Sequence, residues 1–153
     1  MSRYLSFSLN DHEQTVIETT YLSEIIYVEK ESITPVFAMN ESVMGVFNYR
    51  GDIVCLVDLG KILGFLALSK YPNLIRYGVL IMKYENNLIG LVCQKIGKIF
   101  PEEYFISSKN YHNLQNKTID FCIQQEKYNQ EGDIFLDLNF LNLLAILNSS
   151  NQG

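Results

Sequence analysis

A β-hairpin followed at once by a short helix is written twice in this chain, and that recurrence restricts the fold more than any other feature. In the first copy Val43, Met44, Val46 and Phe47 make an apolar strand, and Asn48-Tyr49-Arg50-Gly51-Asp52 makes a polar turn. Gly51 can take the positive φ that a tight hairpin needs. Ile53 to Val57 is apolar at every position, so both faces of that strand are expected to be covered. Asp58 precedes Leu59-Gly60-Lys61-Ile62-Leu63 and Gly64 follows it. A carboxylate before a helix takes up its first free amides, and glycine closes the other end. The second copy is Gly132-Asp133-Ile134-Phe135-Leu136-Asp137-Leu138-Asn139, which lies without gaps over Gly51 to Asp58. Matching Asp137 to Asp58 instead needs a two-residue deletion. The gapless register keeps Ile134, Leu136 and Leu138 on one face and puts Asn139 in the capping place, where Asn and Asp serve almost equally. Two like units predict two small barrels.

Length allows this within one domain, residues 1–150, built of two intertwined subdomains with a tail at 151–153. A chain of 153 residues buries roughly 70% of its unfolded surface and needs neither metal nor disulfide to fold. Net charge is −5, and the 12 Lys and Arg are scattered, so a phosphate backbone is repelled and no nucleic acid is expected as a partner. Met1-Ser2-Arg3-Tyr4 opens directly into a strand pattern with no signal-peptide core. No apolar run approaches the ~20 residues that span a bilayer. The expectation is a cytoplasmic chain with no membrane insertion. Cys55, Cys93 and Cys122 are odd in number, widely spaced and set in apolar strand contexts, which reads as inert buried thiols.

Along the chain, Tyr4 to Leu9 and Gln14 to Ile17 read as strands around a turn at Asn10-Asp11-His12-Glu13. Glu18-Thr19-Thr20 is a turn, and Tyr21 to Val28 one turn of helix leading into a strand. Ile33-Thr34-Pro35-Val36 is an extended edge, since Pro35 has no amide to donate. Phe37 to Ser42 reads as a loop and Phe65 to Pro72 as a connection. Tyr77 to Tyr84 and Leu88 to Ile96 flank Glu85-Asn86-Asn87 as a hairpin, with Gly97 to Phe100 continuing or kinking its second strand. Tyr104 to Ile106 is expected as a short strand, Ser107 to Lys117 as a loop, and Ile119 to Ile123 as a strand. Gln124 to Glu131 is expected as a long turn, Ile134 to Leu138 as the last strand, Phe140 to Leu147 as a terminal helix and Asn148 to Gly153 as a tail.

Chemistry-bearing residues are few. His12 and His112 sit in polar loops with no ligand-like spacing to a cysteine, and no nucleophile elbow or glycine-rich phosphate loop occurs. No metal or cofactor is expected. Glu24 and Arg50 are charges set in apolar strand contexts, and each wants an opposite partner. Either they form an exposed ion pair worth about 0–1 kcal/mol, or Arg50 faces a groove and anchors a partner with ~2 kcal/mol or more.

Gly45-Val46-Phe47-Asn48-Tyr49-Arg50-Gly51-Asp52-Ile53-Val54-Cys55-Leu56-Val57-Asp58-Leu59 resembles the signature G-V-x-N-x-R-G-x-I-V-P-V-I-D-L of the CheW-like family of chemotaxis coupling proteins. Leu22-Ser23-Glu24-Ile25, Ile33-Thr34-Pro35-Val36 and the hairpin from Val79 to Ile96, with Gly90-Leu91-Val92, resemble its flanking segments. The resemblance runs from about Tyr4 to Leu147. It implies a mostly β fold with short helices: two packed, five-stranded SH3-like barrels and a C-terminal helix. It also implies an adaptor without catalysis, bridging the cytoplasmic tip of methyl-accepting chemoreceptors and the regulatory domain of a CheA-type histidine kinase. By matching position, Glu24, Gly45, Asn48, Arg50 and Gly51 fall in the receptor-contacting region and its support, and Asp58 is the structural cap, with Asn139 its counterpart. Cys55 stands where the family has Pro, Gln94 where it has Asp, and the second unit has Asn139 for Asp and no glycine near Cys122. A coupler for pilus motility or phototaxis fits the same motif. A small-ligand or enzymatic β-barrel is the reading from another class, and would require a concave pocket with convergent polar groups.

Overall fold

The computed structural model describes residues 2–37 and 40–150. In chain order the elements are β1 (Arg3–Ser8), β2 (Gln14–Glu18), β3 (Leu22–Glu29), β4 (Val43–Tyr49), β5 (Asp52–Asp58), α1 (Leu59–Ile62), β6 (Arg76–Tyr84) and β7 (Asn87–Cys93). There follow β8 (Lys95–Pro101), β9 (Ser107–Asn110), α2 (Lys117–Cys122), β10 (Ile123–Tyr128), β11 (Ile134–Leu138) and α3 (Phe140–Ser150). Short 3-10 turns lie at Thr19–Tyr21, Lys30–Ser32, Leu68–Lys70 and Glu102–Tyr104.

The strands form a six-stranded sheet, β8-β1-β2-β11-β10-β9, and a five-stranded sheet, β3-β6-β7-β5-β4. The two are wired alike. Each has one parallel joint, β2 with β11 and β5 with β7, and antiparallel neighbours elsewhere. The β1–β2 hairpin hands its next strand, β3, to the other sheet, where it pairs with β6. The β6–β7 hairpin hands β8 back to pair with β1. The sixth strand also has a counterpart. Thr34 bridges Val46 on β4 where β9 pairs with β10, so the edge that is a full strand in one sheet is a single bridge in the other.

The core follows this wiring. Period-2 side chains send Val54 and Leu56 of β5 into the five-stranded half, with Val79, Ile81 and Val92, and send Val57 into a central layer. That layer joins Leu5, Phe7 and Ile17 of one sheet to Leu80, Met82 and Leu91 of the other, closed by Leu59, Leu63 and the α3 residues Phe140, Leu143 and Leu147. Each such side chain contributes about 1.5–3 kcal/mol on burial. Tyr4, Val16 and Phe135 fill the six-stranded half, with Tyr104 and Phe105 packed on them.

Several expectations change. Both hairpin turns are two residues long: Arg50 and Gly51 have φ 52° and 87°, Glu85 and Asn86 49° and 67°. Positive φ at both central residues matches the right-handed twist of the strands, which a turn of the mirror-image type I would splay. Ile53 is 65% exposed, so only the inner part of β5 is covered on both faces. Tyr104 belongs to a 3-10 turn, and Ser107–Asn110 is a strand although all four residues are exposed. Pairing with β10 makes it a strand, which no apolar alternation announces. Residues 117–122 are helical, because Asn116 Oδ1 accepts from the Ile119 amide at 3.0 Å and Ile119 and Cys122 share the buried side. Cys122 is therefore a helix residue, and β10 occupies most of the expected long turn. β8 is a separate strand in the other sheet. α3 runs on through Asn148 and Ser149 to Ser150. The expected tail at 151–153 and part of the expected loop at Phe37 to Ser42 fall outside the described residues.

Candidate interaction site

The β4–β5 tip gathers most of the candidate residues. Asn48 Oδ1 accepts from the Gly51 amide at 3.1 Å and fixes the turn. Gly51 supplies the second positive φ, with nothing within 4 Å of where a Cβ would stand. The turn projects Arg50, whose Nη2 donates to Glu24 Oε1 on β3 at 3.1 Å. Tyr49 donates its hydroxyl to the other carboxylate oxygen, Oε2. The guanidinium carbon lies 5.0 Å from the Tyr49 ring centroid, within cation–π range. One carboxylate thus holds a phenol and a guanidinium across two strands. The side chains are 72% exposed for Arg50 and 34% for Glu24, so the pair adds little to stability and holds a cation in the open.

Gly45 supports this hairpin from behind. A Cβ there would stand 2.3 Å from the Thr34 carbonyl oxygen, because Thr34 exchanges two backbone hydrogen bonds with Val46 at 2.9 and 2.8 Å. Only glycine lets the Ile33–Thr34 segment lie so close. At the far end of β5, Asp58 is buried. Its Oδ1 accepts from the Lys61 amide at 3.1 Å and its Oδ2 from the Leu68 amide at 2.8 Å. Burial pushes its carboxyl above the ordinary range, although those amides and Lys61 pull the other way. Asn139 Oδ1 accepts from the Asn142 amide at 3.0 Å at the start of α3.

Beside the tip, Ile53, Cys55 and Val57 alternate onto one face of β5 and pass from exposed through half-buried to buried. Cys55 and Val57 then line a cavity of about 320 Å³ between the five-stranded sheet and α3, with Leu88, Ile89, Phe140, Leu144 and Leu147 among its walls. Sequence reasoning paired Glu24 with Arg50 but missed Tyr49 and this groove. The signal for Tyr49 was its place beside Arg50 in the turn. For the groove it was the spacing of Phe140, Leu144 and Leu147 on one helix face.

The three thiols are poor nucleophiles. Burial pushes the thiols of Cys93 and Cys122 up to about 12 and about 11 and raises that of Cys55, so all three are protonated at neutral pH. Among the described residues no cluster of His, Cys, Asp and Glu is placed to hold a metal ion. Among them too, no helix is long and apolar enough to cross a membrane.

A family model described as "CheW-like domain" matches residues 3–122. The crystal structure of the scaffolding protein TtCheW from Thermoanaerobacter tengcongensis superposes with a TM-score of 0.70 at 17% identity, covering 90% of this chain and 88% of that one. At that identity the likeness concerns the fold. No curated protein matches the chain.

Proposed function

Because the chain belongs to the family of CheW-like domains, we propose that it is a non-enzymatic scaffold coupling methyl-accepting chemoreceptors to a CheA-type histidine kinase in the cytoplasm, at receptor arrays. The observation that carries this reading is the Arg50 guanidinium, exposed at a rigid hairpin tip and aimed by Glu24 and Tyr49. Arginine is enriched among the residues that anchor interfaces. The receptor's helical tip would pack along the groove of β5 and α3 with its acidic or amide side chains on Arg50. The kinase's barrel would meet the barrel ends, where Ile53 and Ile134 follow Gly51-Asp52 and Gly132-Asp133 and are both exposed. Each patch would need an ordinary area, about 800 Å² per partner.

Arg50→Glu tests the reading. Co-sedimentation with receptor-bearing membranes should be lost while the melting temperature barely moves, because an exposed pair contributes about 0–1 kcal/mol. Retained co-sedimentation, or a collapse of the fold, would make the ion pair purely structural.

A further inference from the structure

The two halves share one interior plan but fill it differently. In the five-stranded half Phe47 lies across from Val54, Leu56 follows on the same face, and Tyr77 packs nearby. At the corresponding places the six-stranded half has Lys127 across from Phe135, then Asp137, with Tyr4 beside them. An apolar interior is thus replaced by one holding two charges. The Lys127 ammonium lies 4.0 Å from Asp137 Oδ2, 4.6 Å from the Tyr4 ring centroid and 5.7 Å from that of Phe105. The side chains are 9% and 1% exposed. Gln124 and Gln125 each donate to Asp137 Oδ2 at 3.0 Å, while Oδ1 is buried without a protein donor. Burial keeps the Asp137 carboxyl above the ordinary range in spite of Gln125, Lys127 and Gln124, and Glu18 adds a like charge. Both Lys127 and Asp137 lie beyond residue 122, where the family match stops.

One short segment covers the Lys127 end of the pair, through the Phe105 ring. Phe100 stacks on Tyr104 with centroids 3.9 Å apart, and Phe105 meets Tyr4, Tyr104 and Phe135 edge-on. Asn129 Nδ2 donates to the Tyr104 hydroxyl at 2.9 Å. The backbone is tied by the Glu102 amide to Ser2, the Phe105 amide to Glu102 and the Ile106 amide to Tyr128. Closure buries these rings, whereas opening returns two charges and an undonated carboxylate oxygen to water. The terms oppose each other, which is the condition for local opening below the threshold of global unfolding. No charge pair opposes closure in the five-stranded half among the described residues.

We propose that residues 102–106, which follow the end of β8, form a lid that opens as a unit over the buried Lys127–Asp137 pair, making the six-stranded half adaptable and leaving the five-stranded half rigid. Native-state hydrogen exchange on the intact chain tests this, with the amides of Phe105 and Ile106 reporting the lid and those of Leu80 and Leu91 the rigid half. Joint replacement Lys127→Met and Asp137→Leu should raise protection of the lid amides at least tenfold and leave Leu80 and Leu91 unchanged. Phe105→Leu should lower lid protection by a similar factor with the same two amides unmoved. Lid protection that ignores the charge-free interior, or that moves in step with Leu80 and Leu91, would overturn the proposal. Should the doubly substituted chain not fold, Phe105→Leu alone decides.

Discussion

Arg50 occupies a backbone conformation that suits asparagine or glycine better, since a side chain at positive φ costs about 1–2 kcal/mol. Retaining arginine there makes sense where its side chain works outside the fold, as strain does at binding sites. Arg50→Asn should therefore keep or raise the melting temperature, the eased turn offsetting a lost pair worth about 0–1 kcal/mol, while receptor co-sedimentation falls. Asp58 is the opposite case, a buried carboxyl whose hydrogen bonds all serve the fold. Its carboxyl is raised by burial, so its stability contribution is full below the ordinary carboxylate value and is lost as pH rises through the raised folded value. Asp58→Asn keeps the acceptor for Lys61 but turns an amide toward the Leu68 N–H, at a cost of about 1–3 kcal/mol. In denaturant titrations that gap should widen as pH falls through the window. A gap independent of pH would mean that Asp58 titrates as in the unfolded chain.

At the scale of elements, turn and cap chemistry was legible, and β pairing at the edges was not. The hairpins at Arg50-Gly51 and Glu85-Asn86 carry their own signals, and so do the helices that begin after Asp58 and Asn139. Ile119-Asp120-Phe121-Cys122-Ile123 reads as a strand by composition, yet Asn116 starts a helix there and also donates to the Leu63 carbonyl at 3.1 Å, tying α2 to the end of α1. Asn116→Ala removes both ties and should cost about 0.5–2 kcal/mol for the cap alone, read as a lower urea midpoint at constant slope. β9 had no such signal, because an edge strand with solvent on its side chains needs only a partner's backbone.

For the whole molecule the decisive fact is reciprocal strand exchange. β3 belongs by sequence to the first half and by pairing to the sheet of β6, and β8 does the reverse. A fragment of residues 1–75 should therefore lack native β structure by circular dichroism and recover it when mixed with residues 76–153. A first half that folds alone would contradict the exchange. Family membership and the two-unit plan were written locally, in a hairpin motif and its recurrence, because turns, caps and period-2 strands depend on neighbours in the chain. What the sequence left undecided was which sheet each third strand joins, the groove that α3 closes against β5, and the charges shut inside one half but not the other. Those depend on residues far apart along the chain, such as Val57 with Leu144 or Tyr4 with Lys127, which only packing brings within reach.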